Sequence, residues 1–246
     1  MIKQAIIPLA GLGTRLLPLT SVIPKELLPI NGKPGLEYIL DECIEAGIKD
    51  IILIISKKKS IIKNYFYRDK FYKSIIKKKK DKRILKEYRK IQKYKKRIKF
   101  IYQNEPHGTG DAALKTKNLI KDKHFLMLLP DDLIIGKNCS KKMIAIHKKY
   151  KSSVMASMKV NKKNVSRWGI YNVKQYLSKN NFLISNVVEK PSVKSAPSNN
   201  AVIGRYILPK KIFNNLKEQK KGKGGEVHIT DAIQSLIFNN NKFVGH

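Results

Sequence analysis

Acidic residues are scarce in this chain of 246 residues. Asp and Glu number 18 against 52 Lys and Arg, a formal net charge of +34. That shortage excludes an acidic, solvating protein and raises nucleic acid or a membrane surface as partners. The basic excess is almost all lysine, and it accompanies abundant Ile and Asn. Lysine spread over many faces attracts anions without selecting among them, whereas phosphate recognition favours arginine at fixed positions. The charge is therefore read as compositional drift, and no specific nucleic acid is expected. Cysteine is scarcer still: Cys43 and Cys139 lie far apart and match no metal spacing. Cys43 falls on the apolar side of a helical pattern, as a reduced core thiol does. No hydrophobic run approaches the length of a membrane span, so no membrane partner is expected. Pro8 interrupts the first apolar stretch, Arg15 follows it closely, and no small-residue cleavage pattern is present. A secretory leader is thus not expected, and the expected location is cytoplasmic.

What is present is an apolar fraction of 42%, enough for a sizeable core. "AIIPLA" is a short continuous apolar run of the kind that forms a buried strand. Asn31-Gly32 is a turn, Pro34 sits where a helix begins, and Leu36, Ile39, Leu40, Cys43 and Ile44 recur at helical spacing before Gly47. "DIILIIS" (50–56) is the next buried strand, so residues 3–56 make a βαβ unit with parallel strands. A segment at about 57–98, dense in Lys and Tyr, keeps helical spacing and is read as helices on the sheet's edge. Strands are expected at "KFIYQ" and "HFLMLLPDD", and helices at "GTGDAALKTKNLI" and "CSKKMIAIHKKY", with Ser140 as cap. Past residue 152 the pattern is strand-rich, with later helices at "PKKIFNNL" and "TDAIQSLIF", Thr230 serving as N-cap. No repeat or Gly/Ser linker intervenes. The fold class is α/β: one Rossmann-like domain over 1–246, with a mixed, mostly parallel sheet flanked by helices.

In open α/β sheets, ligands bind beyond the carboxyl ends of strands. There lie Gly11-Leu12-Gly13-Thr14-Arg15, Gly108-Thr109-Gly110, Asp131-Asp132 and Glu189-Lys190. Two glycine loops, an acidic pair and several cations fit a nucleotide-phosphate and metal site. "GLGTR" nevertheless fails both familiar phosphate templates: Leu16 stands where a dinucleotide fingerprint needs glycine, and no Gly-Lys-Ser/Thr follows.

Its context carries more. "LAGLGTRLLP" followed by "PKELLPINGKPGLEYIL" resembles the signature of sugar-1-phosphate nucleotidyltransferases, and most of all the UTP–glucose-1-phosphate uridylyltransferase group. "YQNEPHGTGDAAL", "LLPDDLI", "WGIYNV", "NVVEKP", "APSNNAVIGRYIL" and "GGEVHITDAI" follow in the family's order. The resemblance implies a nucleotide-diphospho-sugar transferase fold, with residues 1–135 binding the nucleotide and 136–246 the sugar. It implies attack by glucose-1-phosphate on the α-phosphorus of UTP, giving UDP-glucose and pyrophosphate with Mg2+. Residue by residue, Leu9, Ala10, Gly11 and Gly13 would form the nucleotide loop, and Gln103 and Gly108 would hold the base. Arg15 would clamp the leaving pyrophosphate and Lys25 would neutralise charge near the α-phosphate. Asp131 would hold the metal. Gly169, Glu189 and Lys190 would bind the sugar and its phosphate. Asp132 could be a second ligand or a cap, Trp168 a packing residue and Glu226 a sugar contact or cap.

The sequence departs from this family in three places. It ends at "KFVGH", before a Gly-Lys-x-x-Asp-x-Gly-like stretch and the C-terminal helices, which weakens the expected homo-oligomer, a dimer or tetramer. Tyr and Lys replace acidic residues of the insert, and Asp111 stands where a His is common. The alternatives are the same chemistry with dTTP, and a basic nucleic-acid-binding protein that has lost catalysis.

Overall fold

In the computed structural model, which describes residues 1–219 and 225–246, the first apolar run forms strand β1 (Gln4–Pro8). Asn31 and Gly32, both at positive φ, turn a short hairpin of β2 (Pro29–Ile30) and β3 (Lys33–Pro34). Helix α1 (Gly35–Glu45) starts directly after Pro34 and buries Leu36, Ile39, Leu40 and Cys43. Gly47, at φ 86°, turns the chain past its end. Strand β4 (Asp50–Ile55) then pairs parallel to β1, with Gln4 opposite Asp50 and Pro8 opposite Ile54.

The lysine-rich insert is helical, as its spacing predicts, and forms α2 (Ser60–Tyr67), α3 (Asp69–Lys79) and α4 (Lys82–Lys95). Asp81 caps α4, its carboxylate accepting from the Arg83 amide at 2.7 Å. Ile62, Phe66, Ile91 and Tyr94 enter the core, whereas α3 buries nothing. Carboxylates of α1 tie the insert down: Glu37 accepts from Tyr65 and Lys90, and Asp41 accepts from Tyr94 at 2.6 Å. Its Lys and Tyr residues thus partly serve as anchors to a buried acidic edge.

The remaining elements are β5 (Ile98–Tyr102), α5 (Thr109–Leu114), β6 (His124–Leu128), α6 (Cys139–Tyr150), β7 (Ser153–Lys159), β8 (Gly169–Ser178), β9 (Asn181–Glu189), β10 (Asn200–Pro209), α7 (Ile212–Glu218), α8 (Ile229–Phe238) and β11 (Phe243–Gly245). One nine-stranded sheet runs β5-β4-β1-β6-β10-β7-β11-β9-β8. Pairs β5/β4, β4/β1, β1/β6 and β7/β11 are parallel, and the pairs made by β10, together with β11/β9 and β9/β8, are antiparallel. Alternate residues of β1 serve both faces. Ala5 and Ile7 join the core with α1, α2, α4 and α6, and Ile6 joins the core with α5, α7 and α8. Such burial on both sides is why these strands read as continuous apolar runs.

Three local expectations are corrected. Helix α5 stops at Leu114, where Thr116 turns its hydroxyl back onto the Ala113 carbonyl at 2.7 Å. Asn138, rather than Ser140, caps α6 by accepting from the Lys141 amide at 2.8 Å. Ser140 lies inside the helix and donates to Glu42 at 2.5 Å. Thr230 does not cap α8, which begins at Ile229; its first amide donates instead to the Thr109 hydroxyl at 3.3 Å. Gly224, which opens the "GGEVHITDAI" stretch, lies outside the described residues.

Candidate active site

Strands β1, β5 and β6, with β4 between β5 and β1, end at the same edge of the sheet, and the loops that leave β1, β5 and β6 enclose the first cavity. It measures about 220 Å3 and is lined by Ala10, Gly11, Lys25, Gln103, Gly108 and Asp131 among others. A second cavity of about 650 Å3 is walled by Gly13, Thr14, Arg15, Lys25 and Asp131. A third, of about 820 Å3, runs from Asp131 past Trp168, with Lys137, Lys142, Lys159 and Lys179 along it. Asp131 stands where all three meet, and Lys25 borders the first two.

Lys25 opens a single 3-10 turn after Pro24, and its ammonium lies 2.5 Å from Asp131 Oδ1. The Asp131 side chain is 58% exposed. Asp132 serves as an anchor: its Oδ2 accepts from the Gly204 amide at 2.7 Å, which fastens the loop to β10. Among the described residues no three His, Cys, Asp or Glu side chains form a metal cage. A single accessible carboxylate still suits Mg2+, which keeps most of its waters and takes substrate phosphates as ligands.

Not every predicted residue reaches the cavity wall as expected. Leu9 is fully buried behind the loop; its amide donates to the Ile54 carbonyl at 2.7 Å and its carbonyl accepts from Lys59 at 2.7 Å. Gly11 has open space where a Cβ would stand. Gly13, at φ 72°, belongs with Arg15 in the second cavity. Gln103 cannot present both edges of its amide to a base. Its NH2 already donates to the Gly108 carbonyl at 3.1 Å and to Asp111 at 2.6 Å, leaving Oε1 as the accepting group. Asp111, a departure from the family pattern, thereby orients Gln103. Gly108 is glycine for a reason internal to the protein. Its φ is 95°, and a Cβ would come within 2.5 Å of the Val227 carbonyl.

The proposed sugar residues form a separate wall and line none of these three cavities. Gly169 pairs with Glu189, and a Cβ at Gly169 would lie 3.1 Å from Glu189 Oε2, so the space there holds the protein's own carboxylate. Lys190 Nζ is 3.9 Å from Glu189, with both side chains mostly exposed. Strand β10 connects the two regions, since Val202 packs beside Gly169 while Gly204 anchors Asp132. Trp168 packs near Val165 and Ile170, as expected, and also lines the third cavity. Glu226 borders the first cavity rather than capping α8.

Two buried ion pairs escaped the sequence reading. Arg205 is fully buried; its guanidinium pairs with Glu42 at 2.8 Å and donates to the carbonyls of Leu129, Asp132 and Gly204 at 2.9–3.1 Å. It therefore holds both ends of the Leu129–Asp132 turn. Lys59 pairs with Glu26 in the same manner at the other side of the site. Arg205 was signalled by an arginine within the apolar run "NAVIGRYIL", since a buried cation requires a partner. Lys59 had no such signal among so many lysines.

A strand-end site with a lysine, a carboxylate and adjoining cavities suits a nucleotide-handling transferase. The nucleotidyl transferase family profile matches residues 4–245, and the chain belongs to that family. It is 38% identical to UTP–glucose-1-phosphate uridylyltransferase of Bacillus subtilis, over 96% of this chain and 80% of the relative. Among solved structures, it resembles a UDP-glucose pyrophosphorylase complexed with UDP-glucose. That likeness has a TM-score of 0.84 and 33% identity, covering 100% of this chain and 90% of that one. A UTP-bound enzyme of Acinetobacter baumannii gives a TM-score of 0.86 and 33% identity, covering 100% and 86%.

Proposed function

We propose that this chain transfers the uridylyl group of UTP to glucose-1-phosphate. A phosphate oxygen of the sugar phosphate bonds to the α-phosphorus, the bond to the β-phosphate oxygen breaks, and pyrophosphate leaves with that electron pair. The observation that carries this reading is the Lys25–Asp131 pair at the meeting point of three cavities. Such transfers need alignment and charge neutralisation rather than a protein nucleophile.

In this reading the first cavity takes the uridine end. Gln103 Oε1 accepts from the uracil imide N–H, and Ala10 and Gly11 leave room for the nucleotide. Lys25 exchanges its contact with Asp131 for the α-phosphate, and Arg15 in the second cavity clamps the departing pyrophosphate with its forked donors. Asp131, released from Lys25, would hold Mg2+, which would supply positive charge to the substrate phosphates. Glu189 and Lys190 reach the sugar hydroxyls and the sugar phosphate from the β8–β9 wall, and Lys190 closes on the anion as its contact with Glu189 opens.

The test is pyrophosphate release across the four nucleoside triphosphates and a panel of sugar phosphates with Mg2+. Release requiring UTP and glucose-1-phosphate together is expected; equal or faster turnover of dTTP would overturn the uridylyl reading. Lys25→Ala is expected to lower kcat by about 100-fold or more, in line with the loss of one preorganised charge contact. Asp131→Ala is expected to abolish the Mg2+ dependence along with most turnover.

A further inference from the structure

We infer that Lys59, which opens the basic insert, is a positioning residue that holds Lys25 in its working place. This rests on the activity proposed above. Lys59 follows β4, and its side chain is buried to 9% exposure, under the nucleotide loop. Its ammonium has three donors and three acceptors: Leu9 O at 2.7 Å, Glu26 Oε1 at 2.8 Å and Glu26 Oε2 at 2.9 Å. A fully satisfied, water-excluded ammonium has no donor left for substrate, so a direct catalytic role is ruled out by valence.

What Lys59 does is join two pieces of the site, the end of β1 and the turn that carries Lys25. Leu9 is the last residue before Ala10 and Gly11, and Glu26 is the neighbour of Lys25 in the same one-turn segment. That turn is too short to fix its own place, since a single 3-10 turn has few internal bonds. The Glu26 carboxylate, 1% exposed, therefore sets where the Lys25 backbone sits, and Lys59 sets where Glu26 sits. The result ties the ends of β1, β4 and β6 together through Leu9, Lys59, Glu26 and the Lys25–Asp131 contact. Burial draws the Lys59 pKa down and the Glu26 carboxylate opposes it, as for a cation held by its partner.

The decisive measurement is a double-mutant cycle on pyrophosphate release, with Lys59→Met, Lys25→Ala and the pair together. Lys59→Met is expected to lower kcat at least tenfold while leaving KM for glucose-1-phosphate within twofold, because the β8–β9 wall is untouched. In the Lys25→Ala background the same change is expected to cost less than twofold, as two residues acting through one contact are not additive. Lys59→Met/Glu26→Met removes the stranded buried charge and separates folding from alignment: it is expected to regain thermal stability but not kcat. Full additivity with Lys25→Ala, or recovery of kcat with stability, overturns the inference. Should the wild type turn over no triphosphate, the proposed activity fails, and the positioning role is read from amide exchange. Lys59→Met is then expected to speed exchange at residues 10–13 and 25–28 more than tenfold relative to β1 and β4. Uniform or unchanged exchange would overturn it.

Discussion

Gly108 shows how one residue joins the fold to the site. Its left-handed backbone and the 2.5 Å approach of the Val227 carbonyl leave no position for a side chain. Gly108→Ala must shift the 226–227 segment, and with it Glu226 at the cavity's edge. The expected result is a loss of about 2 kcal/mol or more in urea unfolding, from backbone strain and the clash together, and weaker UTP binding by calorimetry. Gln103 teaches a related point. Its amide is buried and half spent on Asp111, so Asp111→Ala is expected to weaken UTP binding without touching glucose-1-phosphate.

At the scale of elements, the turn that presents Asp131 depends on β10 and α1. Arg205 reaches across from β10 to Glu42 of α1 and binds both carbonyl ends of the turn. Removing one partner leaves the other charge buried and alone, a change that costs about 3–5 kcal/mol. Arg205→Met is accordingly expected to lower the urea midpoint strongly, and Glu42→Met/Arg205→Met to restore part of it. The insert offers a milder case. Asp81→Ala removes the cap of α4 and is expected to cost about 1 kcal/mol, measured as a lower Tm with catalytic constants unchanged.

At the scale of the whole molecule, one source of pH response lies outside the three cavities. His124, at the start of β6, stacks beside His147 at 4.6 Å between ring centres. Burial, and then His147, Lys211 and the N-terminal amine, hold its pKa down to about 4 against an ordinary 6.5. Between those values the unfolded chain binds a proton that the folded chain refuses. The His124 contribution to stability is therefore fully present above pH 6.5 and is lost as pH falls toward 4. Urea midpoints across that window check it, and His124→Gln is expected to flatten the slope. The +34 charge predicts retention on heparin that falls steeply with salt and is unaffected by Lys25→Ala.

Among the described residues no helix is long and apolar enough to cross a membrane. Alternation of buried apolar runs with helical spacing was legible in the sequence because one residue's neighbours decide it. Asp131 likewise stands just past β6, whose boundary the chain itself marks, whereas Arg15 and Lys25 lie in separate 3-10 turns of the long connection from β1 to β2. The sequence by itself determined the parallel βαβ start, the helical insert and the strand-end placement of Asp131. Tertiary structure alone decided that Leu9 faces the core, that Gln103 has spent its donors, and that Asp132 is an anchor. It also singled out Lys59 and Arg205. The reason is physical: pairing and burial join residues 33 and 163 positions apart, and no local pattern distinguishes a lysine that meets Glu26 from the many that meet water.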